Sequence, residues 1–145
     1  MVRLGATRRA LALLGTCCLL PACFLLGPAS GFRELYPEYS FDDLFVVAEA
    51  VLDQDALIEL ADRNAGRIET AWSPPAPERG GRLLRRRRAL VCLTQQPGAV
   101  ELAIRVATQI QRTEPPTSDW LPARDDNATA ARLSQRIRML LGTPR

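Results

Sequence analysis

Residues 58–72 read Ile58-Glu59-Leu60-Ala61-Asp62-Arg63-Asn64-Ala65-Gly66-Arg67-Ile68-Glu69-Thr70-Ala71-Trp72, and this stretch decides the fold class. Ile58 and Leu60 alternate with Glu59, while Ile68, Thr70 and Trp72 alternate with Glu69 and Ala71. A period of two marks a strand with one buried face. Between the two runs, Asn64 and Gly66 tolerate the positive φ angles of a tight connection. The stretch therefore predicts a hairpin, with strands near 56–62 and 67–72.

Upstream, the period is helical. Phe41, Leu44, Phe45, Ala48, Val51 and Leu52 share one face, and Ser40 stands ready as an N-cap with Asp43 three residues on. A helix over 41–53 follows, preceded by a short lead-in over 33–39 in which Pro37 opposes helix. Downstream, prolines and glycines predict an exposed loop over 73–84. A strand is expected from Arg86 to Thr94, a turn at Pro97-Gly98, and a long strand to Ile110 on which Val100, Leu102, Ile104 and Val106 alternate. A second proline-rich stretch, 113–124, surrounds Trp120. Asp125, Asp126 and Asn127 then offer caps for a last helix, with Leu133, Ile137, Leu140 and Leu141 on one face and Gly142 ending it.

Strands grouped between two helices predict an α+β domain: an antiparallel sheet of about four strands with an N-terminal and a C-terminal helix packed on one face. The core should hold Ile58, Leu60, Ile68, Thr70, Trp72 and the 100–106 row beneath Phe45, Val51, Leu52, Leu133, Ile137 and Leu140. One domain over 33–145 is the expected organisation.

Residues 1–32 read as a targeting leader. Arg3, Arg8 and Arg9 precede an uncharged run from Ala10 to Phe32, the order found in export signals. Three fates are open. Leu20-Pro21-Ala22-Cys23 resembles a lipobox, which would make Cys23 the lipidated mature N-terminus. Small residues at 27–31 would suit ordinary cleavage, and the apolar run is almost long enough to remain as an anchor. The lipoprotein reading is preferred, and it places the protein in the cell envelope, membrane-anchored and facing the periplasm. Attachment would then run through the lipid or a retained helix, and an envelope protein is a possible partner.

Composition narrows the function classes. The chain carries 19 basic and 16 acidic residues, but three of the arginines lie in the leader, so the remainder balances at 16 against 16. Nucleic-acid binders show a basic excess, and none is expected here. There is no His, every basic residue is Arg, and Cys17, Cys18 and Cys23 lie in the leader, which leaves Cys92 alone. Cys92 sits among apolar residues with no His to activate it, so a small buried side chain is expected. Asp42/Asp43 and Asp125/Asp126 fall where helices start and read as caps rather than as acid/base or metal pairs. No catalytic residue, metal site or cofactor is expected, nor is an enzyme.

The chemical feature that stands out is the cluster Arg82, Arg85, Arg86, Arg87 and Arg88. Guanidinium groups fork onto phosphate or carboxylate oxygens, so the cluster is the candidate partner or phosphate site. Residues 33–62 hold nine Asp or Glu against one Arg, however, and 63–88 hold eight Arg against two Glu. Cross-strand pairing with Glu59 or Glu69 is therefore the competing account. Trp72 and Trp120 either line a groove or cover the sheet edge.

The run from Ile58 to Trp72, with its Gly66-Arg67-Ile68-Glu69-Thr70-Ala71-Trp72 segment, resembles the hairpin of BamC-type envelope lipoproteins. The basic strand start at 85–88, the alternating strand, the Trp-containing linker and the closing helix are similar too, over roughly 39–141. That resemblance implies a helix-grip-like fold, a lipid anchor and a non-enzymatic role beside outer-membrane assembly machinery. This chain has one such domain where that family has two, and lacks its extended N-terminal segment. The expected function is a small bacterial envelope lipoprotein acting as a non-catalytic binding or assembly module. The alternative is an accessory domain of an envelope enzyme or transport system, holding an anionic lipid or glycan between helix and sheet.

Overall fold

The computed structural model describes residues 31–142, and one long hairpin organises it. The elements in chain order are β1 (Phe32–Tyr36), α1 (Phe41–Asp53), β2 (Ile58–Asp62), β3 (Arg67–Thr70), β4 (Ala76–Pro77), β5 (Leu83–Gln96), β6 (Ala99–Arg112), β7 (Leu121–Ala123) and α2 (Asn127–Leu141). The fold is α+β, and every strand pairing is antiparallel. The central order is β1-β6-β5-β3-β2, with β4 added to β5 and β7 added to β6. That makes seven strands where the sequence pattern predicted about four. β5 and β6 pair along their whole length, from Gln96↔Ala99 at the Pro97-Gly98 turn to Leu83↔Arg112 at the open end.

The helices form where capping and periodicity place them. The Ser40 hydroxyl accepts the Asp43 N–H at 3.1 Å, with Asp42 and Asp43 in the positive first turn of α1. Asp126 does the same for α2, its carboxylate accepting the Thr129 N–H at 3.0 Å and the Thr129 hydroxyl at 2.8 Å. Leu44, Phe45, Ala48, Val51 and Leu52 from α1 join Ala130, Leu133 and Ile137 from α2 in one buried cluster. The cluster also contains Ile68, Val91, Leu93, Val100, Leu102, Ile104 and Val106 from the sheet. The register puts these sheet residues on a common face: Val91 opposes both Ile68 and Ile104, and Leu93 opposes Leu102.

Gly66 is required where it stands. Its φ is +65°, and a Cβ there would lie 2.2 Å from the Leu93 carbonyl oxygen. That close approach lets the Leu93 N–H donate to the Gly66 carbonyl at 2.7 Å, which docks the β2–β3 connection on β5.

Several expectations from the sequence are corrected. The lead-in, for which the sequence pattern predicts no strand, holds one: β1 pairs with β6, Phe32 opposing Ile104 and Tyr36 opposing Val100. Leu60 does not share a face with Ile58, because the β2–β3 register shifts between them, and Leu60 is left exposed opposite Glu69. Trp72 also leaves the core row. The β3–β5 register would set Ser73 opposite Arg86, yet the Ser73 N–H donates to the Arg87 carbonyl at 2.7 Å. This one-residue slip turns Trp72 to the other side of the sheet. Leu140 is 57 % exposed, since the buried stripe of α2 runs through Ala130, Leu133, Ser134 and Ile137 towards Leu141. The two proline-rich stretches are not wholly loop, because each contributes a short strand to the open end of the hairpin.

Candidate functional site

The open end of the β5–β6 hairpin extends past the helices, and strand alternation divides its arginines. Arg85 and Arg87 share a face with the core row, since Ala89 and Val91 continue it. Arg86 and Arg88 take the opposite face, with Gln109 and Ala107 across from them. The cluster that is continuous in sequence is therefore two pairs of guanidiniums separated by the thickness of the sheet. Arg82 precedes the strand and is exposed.

On the face away from the helices, Arg86 is held between two indoles. Its guanidinium carbon lies 4.9 Å from the centre of the Trp72 ring and 4.3 Å from that of Trp120. Nε and Nη2 donate to the Gln109 side-chain oxygen at 2.9 and 2.7 Å. Arg88 lies 5.0 Å from Trp72 and donates to the buried Glu69 carboxylate at 3.4 Å, while Arg67 pairs with the other Glu69 oxygen. The tryptophans cover guanidiniums, and the cross-strand account holds for Arg88 with Glu69. Glu59 is exposed on the outer strand β2, remote from the cluster.

The helix-side pair is also engaged. Arg85 pairs with Glu78, and Arg87 Nε lies 3.2 Å from Asp126, the cap of α2. Burial pushes the Asp126 carboxyl up, but the Thr129 N–H and hydroxyl, with the charges of Arg87 and Arg132, outweigh it and hold the group below its ordinary range. Two adjoining clefts of about 530 and 460 Å³ share Arg85 and Arg87. The first is walled by Glu78 and Arg79, the second by Arg124 and the start of α2. The neighbouring Asp125 holds Arg105 with contacts of 2.7 and 3.3 Å.

Arginines that lack a carboxylate partner among the described residues gather at this same end. Arg79, Arg82, Arg112 and Arg124 are exposed and make no ion pair, and Arg86 is bonded only to Gln109 and the indoles. By contrast, Arg33, Arg63, Arg67, Arg85, Arg87, Arg88, Arg105, Arg136 and Arg138 all meet a carboxylate, while Arg132, in the second turn of α2, makes no ion pair and donates to the Thr129 hydroxyl. Glu114 and Asp119 stand at the open end without an arginine partner, so the unpaired charge there is positive in excess. Arg79, Arg112 and Arg124 were not singled out from the sequence, because they are scattered along it. Counting outward from the Pro97-Gly98 turn would have brought Arg112 beside Leu83 and thus beside Arg82.

A second polar group lies at the other pole. Glu34, on the core face of β1, accepts the Tyr36 hydroxyl at 2.8 Å and the Ser134 hydroxyl at 3.2 Å, and it pairs with Arg138. Burial raises the Glu34 carboxyl, but Arg138, Tyr36 and Ser134 together bring it below its ordinary value. Burial and the same carboxylate raise the Tyr36 phenol. A groove of about 630 Å³ beside this group is lined by Leu35, Tyr39 and Met139.

Cys92 is buried on β5. Among the described residues no three His, Cys, Asp or Glu side chains gather as a metal site requires, and no helix is long and apolar enough to cross a membrane. Residues 1–30 of the expected 1–32 leader, Cys23 among them, lie outside the described residues. No protein-family model matches the chain, and no curated protein matches it.

Proposed function

We propose that the chain is a small bacterial envelope lipoprotein, membrane-anchored through Cys23 and facing the periplasm, whose α+β domain is a non-catalytic binding or assembly module. The observation that carries this reading is the gathering of unpaired guanidiniums at the open end of one hairpin, while the arginines elsewhere are mostly neutralised. Exposed like charges gathered together oppose folding slightly and create a positive potential that attracts an anionic surface or partner. The basic-apolar leader supports attachment, and two helices sharing a core with one sheet face support the helix-grip-like comparison.

The alternative, a small anionic lipid or glycan held between helix and sheet, has the clefts at Arg85 and Arg87 in its favour. An anion entering there must compete with Glu78 and Asp126, which already occupy both guanidiniums. The docking reading therefore stands first. Mass spectrometry of the mature N-terminus from membranes tests it: an acylated Cys23 is expected, and Cys23→Ala should release the protein. A leader intact from Met1 would instead mean a retained anchor, and an unmodified N-terminus in the soluble fraction would end the lipoprotein reading.

A further inference from the structure

The direction of β1 sets the side from which the sheet is entered. Phe32 opposes Ile104 and Tyr36 opposes Val100, so β1 runs from the open end of the hairpin towards its turn. Gly31 packs against the backbone of Ile104 and Arg105. On the same edge of β6, β7 occupies the next positions outward, Ala123 opposite Thr108 and Leu121 opposite Ile110. β1 is therefore entered from the open-end side, about halfway along the hairpin. From the Arg105 level to Thr108 is only about 10 Å along a strand.

We infer that the open end of the β5–β6 hairpin docks on an anionic phospholipid surface, the arginines without carboxylate partners engaging lipid phosphates beside Trp120 and Leu121. The inference rests on the membrane attachment proposed above and adds what the domain does once attached. Three features of the end fit a lipid surface. The unpaired charge is cationic in excess, from Arg79, Arg82, Arg112 and Arg124 against Glu114 and Asp119. All of those arginines are exposed on long stems that can reach headgroups while their methylenes follow apolar surface. Leu121, 54 % exposed, pairs with Ile110 on the face of Arg85, while Trp120 packs on Arg86 across the sheet, so the end offers apolar surface on both faces, as a membrane–water boundary would accept. The opposite pole differs in sign, for Glu38, Asp42, Asp43 and Asp62 flank the start of α1 and the β2–β3 connection against Arg63, which pairs with Asp42, and α1 carries no basic residue. A negative membrane would thus attract one end and repel the other.

The chain's two tryptophans both stand at the open end, which makes the test direct. The full chain is incorporated into vesicles of phosphatidylethanolamine with phosphatidylglycerol, and separately of phosphatidylcholine, each with nitroxide-labelled headgroups. Co-flotation reports attachment, and quenching of Trp fluorescence reports docking of the end. The inference expects quenching in anionic vesicles that falls as salt rises. Each exposed guanidinium near an anionic surface contributes about fivefold, so Arg79→Ser, Arg82→Ser and Arg112→Ser combined should weaken docking about 100-fold. These side chains make no bond within the described residues, and unchanged Trp emission in solution will verify that the triple variant is folded. A chain that co-floats but is unquenched, or is quenched equally in phosphatidylcholine, overturns the docking and leaves the end to an acidic protein. A chain that does not co-float overturns the attachment itself, and the inference falls with it.

Discussion

The Arg86 guanidinium lies 4.3 Å from the centre of the Trp120 ring, and this contact fastens the proline-rich 113–124 segment to the central hairpin. With Trp72 on its other side and two hydrogen bonds to Gln109, Arg86 is the hub of the open end. A cation over an indole contributes about 0.5–2 kcal/mol, more as water is excluded. Arg86→Ser should therefore lower stability by about 1–3 kcal/mol in urea unfolding and red-shift Trp emission. Arg86→Lys should recover little, since an ammonium cannot present a planar fork to Gln109 while stacking between two rings. Full recovery by Lys would show that charge alone matters there.

The core can be probed at Ile104, which is 1 % exposed beneath the helices. Ile104→Ala should cost about 2–5 kcal/mol, combining the lost burial with the cavity left behind. Leu60→Ala, on the outer side of the bulge, should cost under about 1 kcal/mol by chemical denaturation. Equal losses at the two positions would overturn the register described for β2.

Two glycines with similar backbone angles should respond differently. Gly66 and Gly98 have φ of +65° and +75°, but only Gly66 faces a carbonyl oxygen, at 2.2 Å from an added Cβ. Gly98→Ala should cost about 1–2 kcal/mol for the left-handed conformation alone. Gly66→Ala should cost distinctly more, because the Leu93 carbonyl must move and the hydrogen bond between Leu93 and Gly66 goes with it. Thermal unfolding of the pair in parallel gives the comparison.

Acid should loosen the joints that α2 makes at both its ends. Glu34 and Asp126 are held below their ordinary values of 4.5 and 3.8, so between those and the lowered folded values the unfolded chain binds more protons. Their contribution is complete above about pH 4.5, declines as pH falls, and is gone below the folded values. Glu34→Gln should flatten the acid limb of a stability–pH curve while leaving the neutral region less affected. An unchanged acid limb in Glu34→Gln would remove Glu34 from this role.

How far the sequence disclosed the fold follows from how regular each element is. α1 is legible to the residue, since an unbroken apolar stripe meets a Ser40 cap. The inner parts of β5 and β6 are legible for the same reason, with a clean alternation either side of Pro97-Gly98. β1 was hidden because Glu34 stands in its buried row, and only the network of Tyr36, Ser134 and Arg138 makes that position tolerable. β5 outruns the expected 86–94 at both ends, because Leu83-Leu84-Arg85 and Gln95-Gln96 carry no apolar–polar alternation. The arginine cluster was visible, but its division between two faces required the pairing register. The approach of Trp120 to Arg86 has no local signal at all, being made by a segment that crosses back along β6 after the hairpin has formed.

The Glu34 network also determines where the chain leaves the domain. α2 starts beside Val106, where the Asp126 N–H donates to its carbonyl, and ends where the Tyr39 hydroxyl donates to the Gly142 carbonyl. β1 thus begins about halfway along the hairpin, and α2 ends beside Tyr39, near the hairpin turn. A fluorophore placed after Gly142 would therefore sit near the turn, and in the vesicle experiment proposed above its distance from the lipid would report which end of the domain faces the surface.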